Sequence, residues 1–342
     1  MYRAKKYQVL VWLTATLLTL AACGKKENHY GNPPVIIPPV TVPDTGTLVK
    51  LPSQWTKQTT LMNGFPAGIE VYRNTALFNG ITLNAYTLVF DPKNTGIEWK
   101  PILAAKNKTP SAGYNEEPGI KYACINGGYF GTNISYSLVV NNATVLAPNI
   151  KTLVRPYNGS DVNYYPTRGA FGITASGIPE VTWMYNAGSA NELLYSYTQP
   201  AANKEGIAPL PMPNAAGAVT WNVLNAIGGS PVLIKNDVVK ITDAEELIVV
   251  DNTIQRARTA IGYNADGKVL ILVVEGGNPT GAKGLNLQDL AALLKSMGCT
   301  NALNLDGGGS TDMVVNGQLT VKPSDAAGER PVMSMLLLKK KQ

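Results

Sequence analysis

Residues 258–306 decide the fold, and they read RTAIGYNADGKVLILVVEGGNPTGAKGLNLQDLAALLKSMGCTNALNLD. Two apolar, strand-forming runs, 258–263 and 269–275, flank Asn264-Ala-Asp-Gly267. Because asparagine, aspartate and glycine suit a tight turn, this arrangement predicts a β-hairpin. A glycine-containing loop opens directly after the second run.

The second half of the same stretch predicts a helix and then a strand. Apolar residues recur at helical spacing over 287–297, Asn286 suits the N-cap, and Gly298 suits the C-terminal cap. A short apolar strand, 302–305, follows and ends in Asp306. Hairpin, helix and strand therefore converge on an acidic side chain.

The remainder of the body is also rich in strand patterns. Alternation predicts strands near 68–72 and 81–90, and a further strand runs from 121 to 130. Residues 226–239 predict a strand, a break and a hairpin, whereas 131–225 predict strands joined by long loops. We expect one α+β domain with a mixed, largely antiparallel sheet and a few flanking helices.

The N-terminus has the organisation of an exported lipoprotein. Basic residues precede an apolar run, 9–20, that is too short to span a membrane as a stable helix. The run ends in Leu20-Ala-Ala-Cys23, which resembles a bacterial lipobox. We expect a lipoprotein signal peptide over 1–22, a lipid on Cys23, and a membrane-anchored protein in the periplasm or at the cell surface. An ordinary signal peptide with an incidental cysteine is the alternative.

Composition limits the partners. Residues 23–48 are rich in proline and predict an extended tether, which leaves 49–342 as the folded domain. The formal charge of +6 comes from the two ends of the chain, because the body between them carries equal numbers of basic and acidic side chains. A neutral body lacks the basic surface that nucleic acids require, so no nucleic-acid partner is expected.

Histidine and cysteine usage excludes several classes of site. The one histidine, His29, lies in the tether, which excludes Ser-His-Asp triads, zinc sites of the HExxH type and histidine bases in the body. Cys124 and Cys299 are compatible with a disulfide or with two buried thiols. Acid–base chemistry therefore falls to carboxylates.

Glu275 and Asp306 form the strongest pair of carboxylates. Each ends an apolar strand and is followed by glycines, two after Glu275 and three after Asp306. Cleavage of an acetal or a glycosyl phosphate can use two carboxyl groups with different pKa values, one as acid and one as base or nucleophile. The alternative is that one or both only accept hydrogen bonds from loop amides.

Groups suited to ligand binding surround this pair. Gly307 and Gly308 can present backbone N–H groups to a ligand, and Ser310 and Thr311 add hydroxyls or cap a turn.

Three further side chains extend the set. The amide of Asn126, which precedes Gly127, can orient a sugar hydroxyl or form an Asx turn. Arg258 and Arg330 suit bidentate phosphate contact, or a buried ion pair.

No cofactor is predicted, although a divalent cation is possible. Asp306 and Asp312 could supply oxygen ligands to a hard cation, but the spacing of a calcium-binding loop is absent from the sequence.

An ordered set of motifs resembles the phosphodiester glycosidases, the family of the mammalian uncovering enzyme. Those motifs are INGGYF at 125–130, RGAFG at 168–172, GGSP at 228–231, RTAIG at 258–262, GL at 284–285, NLDGGGS at 304–310 and ERP at 329–331.

The resemblance implies hydrolysis of a sugar from a phosphodiester on the glycosidic side. It also implies that Asn126, Arg258, Asp306, Ser310 and Arg330 line one cleft. The chain differs from the common family pattern at Asp312, where threonine is frequent, and at Glu275, where aspartate is frequent.

We therefore expect a hydrolase that cleaves a sugar from a sugar-1-phosphodiester or related glycan by carboxylate acid–base chemistry. Two alternatives remain: a non-catalytic glycan-binding lipoprotein of the cell surface, and a glycosidase acting on a phosphate-free polysaccharide.

Overall fold

The structure is a computed structural model that describes residues 46–342. The signal peptide, Cys23 and nearly all of the expected tether lie outside the described residues, so the expectations for them stay predictions. In the part of the chain that is described, no helix is long and apolar enough to cross a membrane.

Short strands make up most of the domain. The first nine are β1 (Thr56–Lys57), β2 (Ile69–Asn74), β3 (Leu77–Phe78), β4 (Ile81–Thr82), β5 (Ala85–Phe90), β6 (Ile97–Lys108), β7 (Lys121–Asn126), β8 (Phe130–Gly131) and β9 (Ile134–Ser135). The next nine are β10 (Val139–Asn141), β11 (Thr144–Ala147), β12 (Leu153–Tyr157), β13 (Ser160–Tyr164), β14 (Arg168–Ile173), β15 (Pro179–Ala187), β16 (Leu193–Tyr197), β17 (Val219–Thr220) and β18 (Asn225–Gly228). The last eight are β19 (Val232–Lys235), β20 (Val238–Val239), β21 (Arg258–Asn264), β22 (Val269–Val274), β23 (Cys299–Asn304), β24 (Met313–Val315), β25 (Gln318–Leu319) and β26 (Val332–Lys340).

Two α-helices occur among the described residues. They are α1 (Pro110–Glu116) and α2 (Leu287–Ser296), and a 3₁₀ turn covers Gly308–Ser310. The Asn286 side chain caps α2 by accepting a hydrogen bond from the Asp289 amide at 2.8 Å, as the sequence predicts.

Three large sheets hold most of these strands. The eight-stranded sheet has the order β1-β2-β5-β22-β21-β23-β19-β20, the seven-stranded sheet β11-β10-β18-β14-β15-β16-β17, and the five-stranded sheet β25-β24-β7-β26-β6. The pairs β3-β4, β8-β9 and β12-β13 are two-stranded.

The fold class expected from the sequence is wrong. The domain is mostly β, and its strand pairings are antiparallel throughout residues 46–342, so the sheets are not mixed. One helix of 10 residues and one of 7 cannot form the flanking layer of an α+β fold. The three large sheets instead share one apolar core, and α2 covers the other face of the eight-stranded sheet.

The β21–β22 hairpin shows this double burial. All six residues of β22 are buried. Leu270, Leu272 and Val274 pack in the cluster that contains α2. Ile271 and Val273 point to the other side and pack in the cluster that joins the remaining sheets. Because successive side chains alternate between the faces of a strand, one sheet contributes to two cores. Each fully buried side chain of this size contributes about 1.5–3 kcal/mol to the stability of the fold.

Cys124 and Cys299 are free and buried. They lie in two different core clusters, so the structure contains no disulfide between them. Burial raises the pKa of the Cys299 thiol to about 12, which makes it an unreactive apolar side chain.

Candidate active site

Asp306 lies where the eight-stranded and five-stranded sheets meet. It follows β23 after Leu305, and its amide donates to the Gly127 carbonyl at 3.2 Å. Its own carbonyl accepts from Asn126 Nδ2 at 2.7 Å. Its carboxylate accepts from the Gly307 amide at 2.9 Å. The backbone of Asp306 is therefore held from both sides before its side chain is considered.

Asn126, at the end of β7, is the residue that joins the two sheets. Its side-chain oxygen accepts from the Thr259 hydroxyl at 2.7 Å and from the Asp312 amide at 3.3 Å. With the bond to Asp306, donor and acceptor sides of this fully buried amide are both engaged. The structure therefore places Asn126 beside Asp306, where its side chain supports the loop and is not open to a ligand.

The two glycines after Asn126 allow this close approach. A Cβ on Gly127 would lie 2.5 Å from Ser334 Oγ, and one on Gly128 would collide with the Gly228 carbonyl. Neither neighbour can move far, because Ser334 is in β26 and Gly228 is in β18. These two glycines therefore serve first to bring backbones together.

A cavity of about 430 Å³ opens beside Asp306. Its lining includes the glycine loop 307–309 and the polar side chains of Tyr129, Asp251, Arg256, Arg258, Asn304, Asp306, Ser324, Asp325 and Arg330. The volume is in the range of small-molecule sites. The glycine loop and two of the sequence-predicted arginines thus share one cavity with the predicted carboxylate.

Asp306 can change its charge near neutral pH. Burial raises the pKa of its carboxyl to about 6, while the Gly307 amide and the charge of Arg330 act in the opposite direction. A carboxyl group with such a pKa can exchange protons under physiological conditions, which general acid–base chemistry requires.

Tyr129 forms one wall of the cavity in a fixed orientation. Its hydroxyl donates to the Ser230 carbonyl at 2.6 Å and accepts from Asn304 Nδ2 at 2.7 Å. Burial and then the charge of Asp306 raise the pKa of this phenol. Tyr129 therefore stays neutral and supplies a rigid aromatic surface.

Arg258 lines the cavity, but its guanidinium is engaged by the backbone. Nε donates to the Leu285 carbonyl at 2.8 Å and Nη1 to the Val250 carbonyl at 2.9 Å. Nη2 donates to the carbonyls of Asp251 at 2.7 Å and Ile254 at 3.0 Å. Arg258 consequently holds the loop that forms one rim of the cavity, and it has little capacity left for a phosphate.

Arg330 also lines the cavity and is partly exposed. It forms a two-point ion pair with Asp325, with Nε to Oδ2 at 2.8 Å and Nη2 to Oδ1 at 2.9 Å. Of the two arginines predicted to bind phosphate, Arg330 is therefore the one whose guanidinium has a single side-chain partner in the cavity.

Glu275 is outside the set of residues that line this cavity. Its carboxylate accepts from Asn84 Nδ2 at 2.7 Å and from the Lys322 amide at 3.0 Å. These are the loop contacts that the sequence allowed as an alternative. A role for Glu275 in the chemistry stays a prediction.

Comparison with known proteins assigns the family. A family model for phosphodiester glycosidases matches residues 121–339. The chain belongs to that family. The matched region contains the motifs around Asn126, Arg258, Asp306 and Arg330.

Curated relatives match short stretches. The mouse N-acetylglucosamine-1-phosphodiester α-N-acetylglucosaminidase is 42% identical over 72 residues, which is 21% of this chain and 14% of the mouse protein. The human enzyme of the same name is 44% identical over 69 residues, 20% of this chain and 13% of the human protein. A prophage-derived protein of Bacillus subtilis, YomE, is 36% identical over 88 residues, 26% of this chain and 13% of that protein. The chain thus spans about one seventh of the length of these relatives.

Two solved structures share the fold. The catalytic domain of the zebrafish enzyme of the same name superposes with a TM-score of 0.51 at 18% identity, covering 85% of this chain and 96% of that one. A hypothetical protein from Synechocystis gives a TM-score of 0.55 at 17% identity, covering 81% and 63% of the two chains. At these identities the likeness concerns the fold alone.

Behind the glycine loop, this member of the family buries polar groups without partners. Among residues 46–342, the hydroxyls of Ser310 and Thr311 and both carboxylate oxygens of Asp312 have no hydrogen-bond partner. Burial raises the pKa of Asp312 to about 8, and the charges of Glu329 and Asp325 add to that effect. The described part of the chain has no group of three or more histidine, cysteine or acidic side chains placed to hold a metal.

Another buried carboxylate, Glu246, carries no signal in the local sequence. It accepts five hydrogen bonds, from the Gly169 and Val232 amides, the Ser230 and Thr242 hydroxyls and the Trp183 indole. The motifs RGAFG and GGSP, at 168–172 and 228–231, converge on it. Apart from Thr242, the donors lie 14 to 77 residues from Glu246 in the sequence, so no local pattern could have identified it. Its full set of partners makes it a structural centre.

Proposed function

We propose that this protein hydrolyses the glycosidic bond of a sugar-1-phosphodiester or a related glycan, with Asp306 as the reacting carboxylate. Membership of the phosphodiester glycosidase family makes it a glycosidase in general terms. The observation that carries the finer proposal is the position of Asp306, which shares a cavity of about 430 Å³ with a glycine loop and Arg330.

Asp306 acts in its ionised form, as base or nucleophile. A phosphate leaving group carries its negative charge at neutral pH without receiving a proton from the protein, because its acid groups have pKa values of about 6 or lower. A general acid on the leaving-group side is then dispensable. This chemistry fits a cavity in which the other two aspartates, Asp251 and Asp325, are paired with arginines.

Arg330 would face the phosphate and Tyr129 the sugar. A guanidinium suits the two-point binding of phosphate oxygens. The ring of Tyr129 offers an apolar face beside a fixed hydroxyl, which suits a sugar ring. Asn126 and Arg258 act as positioning residues in this scheme, since their polar atoms are already engaged.

We also propose that a lipid on Cys23 holds the protein at a membrane, in the periplasm or at the cell surface. The lipobox-like sequence at 20–23 supports this location. Labelling cells with a radioactive fatty acid tests it. Wild type should carry the label and Cys23→Ser should lose it and leave the membrane fraction, whereas equal labelling of both would contradict the proposal.

The test of the reaction uses the purified full chain with UDP-N-acetylglucosamine, followed by an assay of free sugar. Wild type should release sugar, and Asp306→Asn should reduce the rate by about a thousandfold or more. The matched control is Asp251→Asn, which removes an exposed carboxylate from the same cavity and should retain activity. Turnover by Asp306→Asn close to wild type would contradict the proposal.

A further inference from the structure

The ion pair between Arg330 and Asp325 has the geometry of a bound oxyanion. Two nitrogens of the guanidinium meet two oxygens of the carboxylate at 2.9 and 2.8 Å. Both side chains are partly exposed, at 43% and 35%, and both line the cavity that holds Asp306. A phosphate group presents two oxygens to a guanidinium in the same planar arrangement.

The glycine loop fixes where this pair sits. A Cβ on Gly309 would collide with Arg330 Nη2 and with Asp325 Oδ1. The absence of a side chain at Gly309 therefore lets the guanidinium and the carboxylate lie directly on the loop that follows Asp306. The carboxylate of Asp325 thus occupies the part of the cavity where Arg330 would hold an anionic ligand.

Asp325 is attached to a segment that can release it. It begins the turn Asp325–Gly328, closed by a hydrogen bond of 3.0 Å from the Gly328 amide to the Asp325 carbonyl, and this turn lies in the connection between β25 and β26. Its carboxylate has Arg330 as its hydrogen-bonding partner. Ion pairs this exposed contribute little to stability, so an incoming anion can replace the carboxylate without unfolding the loop.

We propose that Asp325 is an internal competitor for the oxyanion subsite of Arg330, and that a phosphate group of the substrate binds by displacing the Asp325 carboxylate. The proposal rests on the proposed function for the identity of the substrate. Asp325 is then a specificity-determining residue. An anionic group can displace its carboxylate and bind the Arg330 guanidinium, whereas a neutral sugar leaves the ion pair intact.

The cavity contains its own control for this idea. Asp251 and Arg256, which also line the cavity, form an ion pair through a single contact of 2.6 Å, and the two side chains are 48% and 49% exposed. Removing either carboxylate changes the charge of the cavity by the same amount. A difference between the two variants therefore reports the pairing with Arg330 rather than general electrostatics.

The experiment is a calorimetric titration of the full chain with inorganic phosphate at low salt. Asp325→Asn should bind phosphate about fivefold more tightly than wild type, because the competing charge is gone. Asp251→Asn should change the Kd by less than about twofold, and Arg330→Gln should raise it at least tenfold. Thermal melting checks that each variant folds, and Asp325→Ser replaces Asp325→Asn if the latter does not fold.

Three results would overturn the inference: equal affinity of Asp325→Asn and wild type, an equal gain from Asp251→Asn, or no phosphate binding by any variant. The sugar-release assay separates this failure from that of the proposed function. Sugar release by wild type with an unaltered phosphate Kd in Asp325→Asn defeats the inference alone. Tighter phosphate binding without sugar release defeats the hydrolase proposal and supports the subsite.

Discussion

The side-chain amide of Asn126 donates to the backbone carbonyl of Asp306 over 2.7 Å, and this bond connects the ends of two different sheets. Asn126 ends β7 of the five-stranded sheet, whereas Asp306 follows β23 of the eight-stranded sheet. The position of Asp306, the proposed reacting carboxylate, therefore depends on how the two sheets pack and on the hydrogen bonds of one buried amide.

Replacing Asn126 with alanine should displace Asp306 without removing it. We expect kcat to fall by about 10- to 100-fold with a smaller change in KM, because misplacement of a catalytic group affects the reaction step most. The free energy of unfolding should fall by about 1–3 kcal/mol, since the Thr259 hydroxyl and Asp312 amide lose their acceptor. Steady-state kinetics and urea unfolding measure both effects.

The matched control for that variant is Asn225→Ala. Asn225 is also buried and donates to the Trp99 carbonyl at 2.6 Å, in a cavity that does not contain Asp306. This variant should lose stability and keep its kcat. If both variants show the same kinetics, Asn126 has no positioning role.

The pH dependence of kcat/KM should follow the ionisation of Asp306. Burial raises the pKa of this carboxyl to about 6, and the proposed mechanism needs its charged form. Activity should therefore decline about tenfold per pH unit below pH 6 and stay level above it, up to the next ionisation. A rate that is highest near pH 5 would show instead that Asp306 acts while protonated.

Asp312 should make the protein less stable as the pH rises. Burial raises its pKa from 3.8 to about 8, so between those values the folded state holds a proton that the unfolded state has lost. The free energy of unfolding then falls with increasing pH across that window. Asp306 contributes with the same sign up to about pH 6.

Asp312→Asn should remove most of this slope and be more stable than wild type at pH 8, by about 1–3 kcal/mol. Urea unfolding at pH 5 and pH 8 measures the difference. Asp266→Asn, in an exposed turn, should leave the slope unchanged. Equal slopes for wild type and Asp312→Asn would mean that another group titrates.

Arg258→Gln should loosen the rim of the cavity. Four hydrogen bonds from the guanidinium to backbone carbonyls cannot be replaced by one amide, so we expect a loss of about 2–3 kcal/mol in stability. Limited proteolysis should cut the segment 250–254 more rapidly. Arg256→Gln, at an exposed position, should stay within about 0.5 kcal/mol of wild type. Undiminished stability of Arg258→Gln would contradict this structural role.

Local patterning was sufficient for the hairpin and the helix of residues 258–306. β21, β22 and α2 lie where turn chemistry, capping and periodicity place them, because each of those signals acts over a few neighbouring residues. The expected α+β class is wrong for a related reason. Strand patterns indicate buried faces, but they do not indicate whether a helix or another sheet will cover them.

The glycines and the acid at 306–309 were also visible in the sequence, because such a run has few uses other than close approach to a backbone or ligand. Glu275 also follows an apolar strand and precedes glycines, but it lies outside the cavity lining. Along β22, Glu275 continues the face of Ile271 and Val273, whereas Asp306 continues the face of Ala302 along β23. These two faces pack in different core clusters. The side chains of Glu275 and Asp306 therefore leave the eight-stranded sheet on opposite sides.

Only tertiary structure could assign the remaining parts of the site. The partners of Asn126 and the contact of Arg258 with the Leu285 carbonyl join positions that are brought together by strand order and sheet packing. Strand order depends on which apolar faces bury each other, and that competition is decided over the whole chain rather than within any one segment.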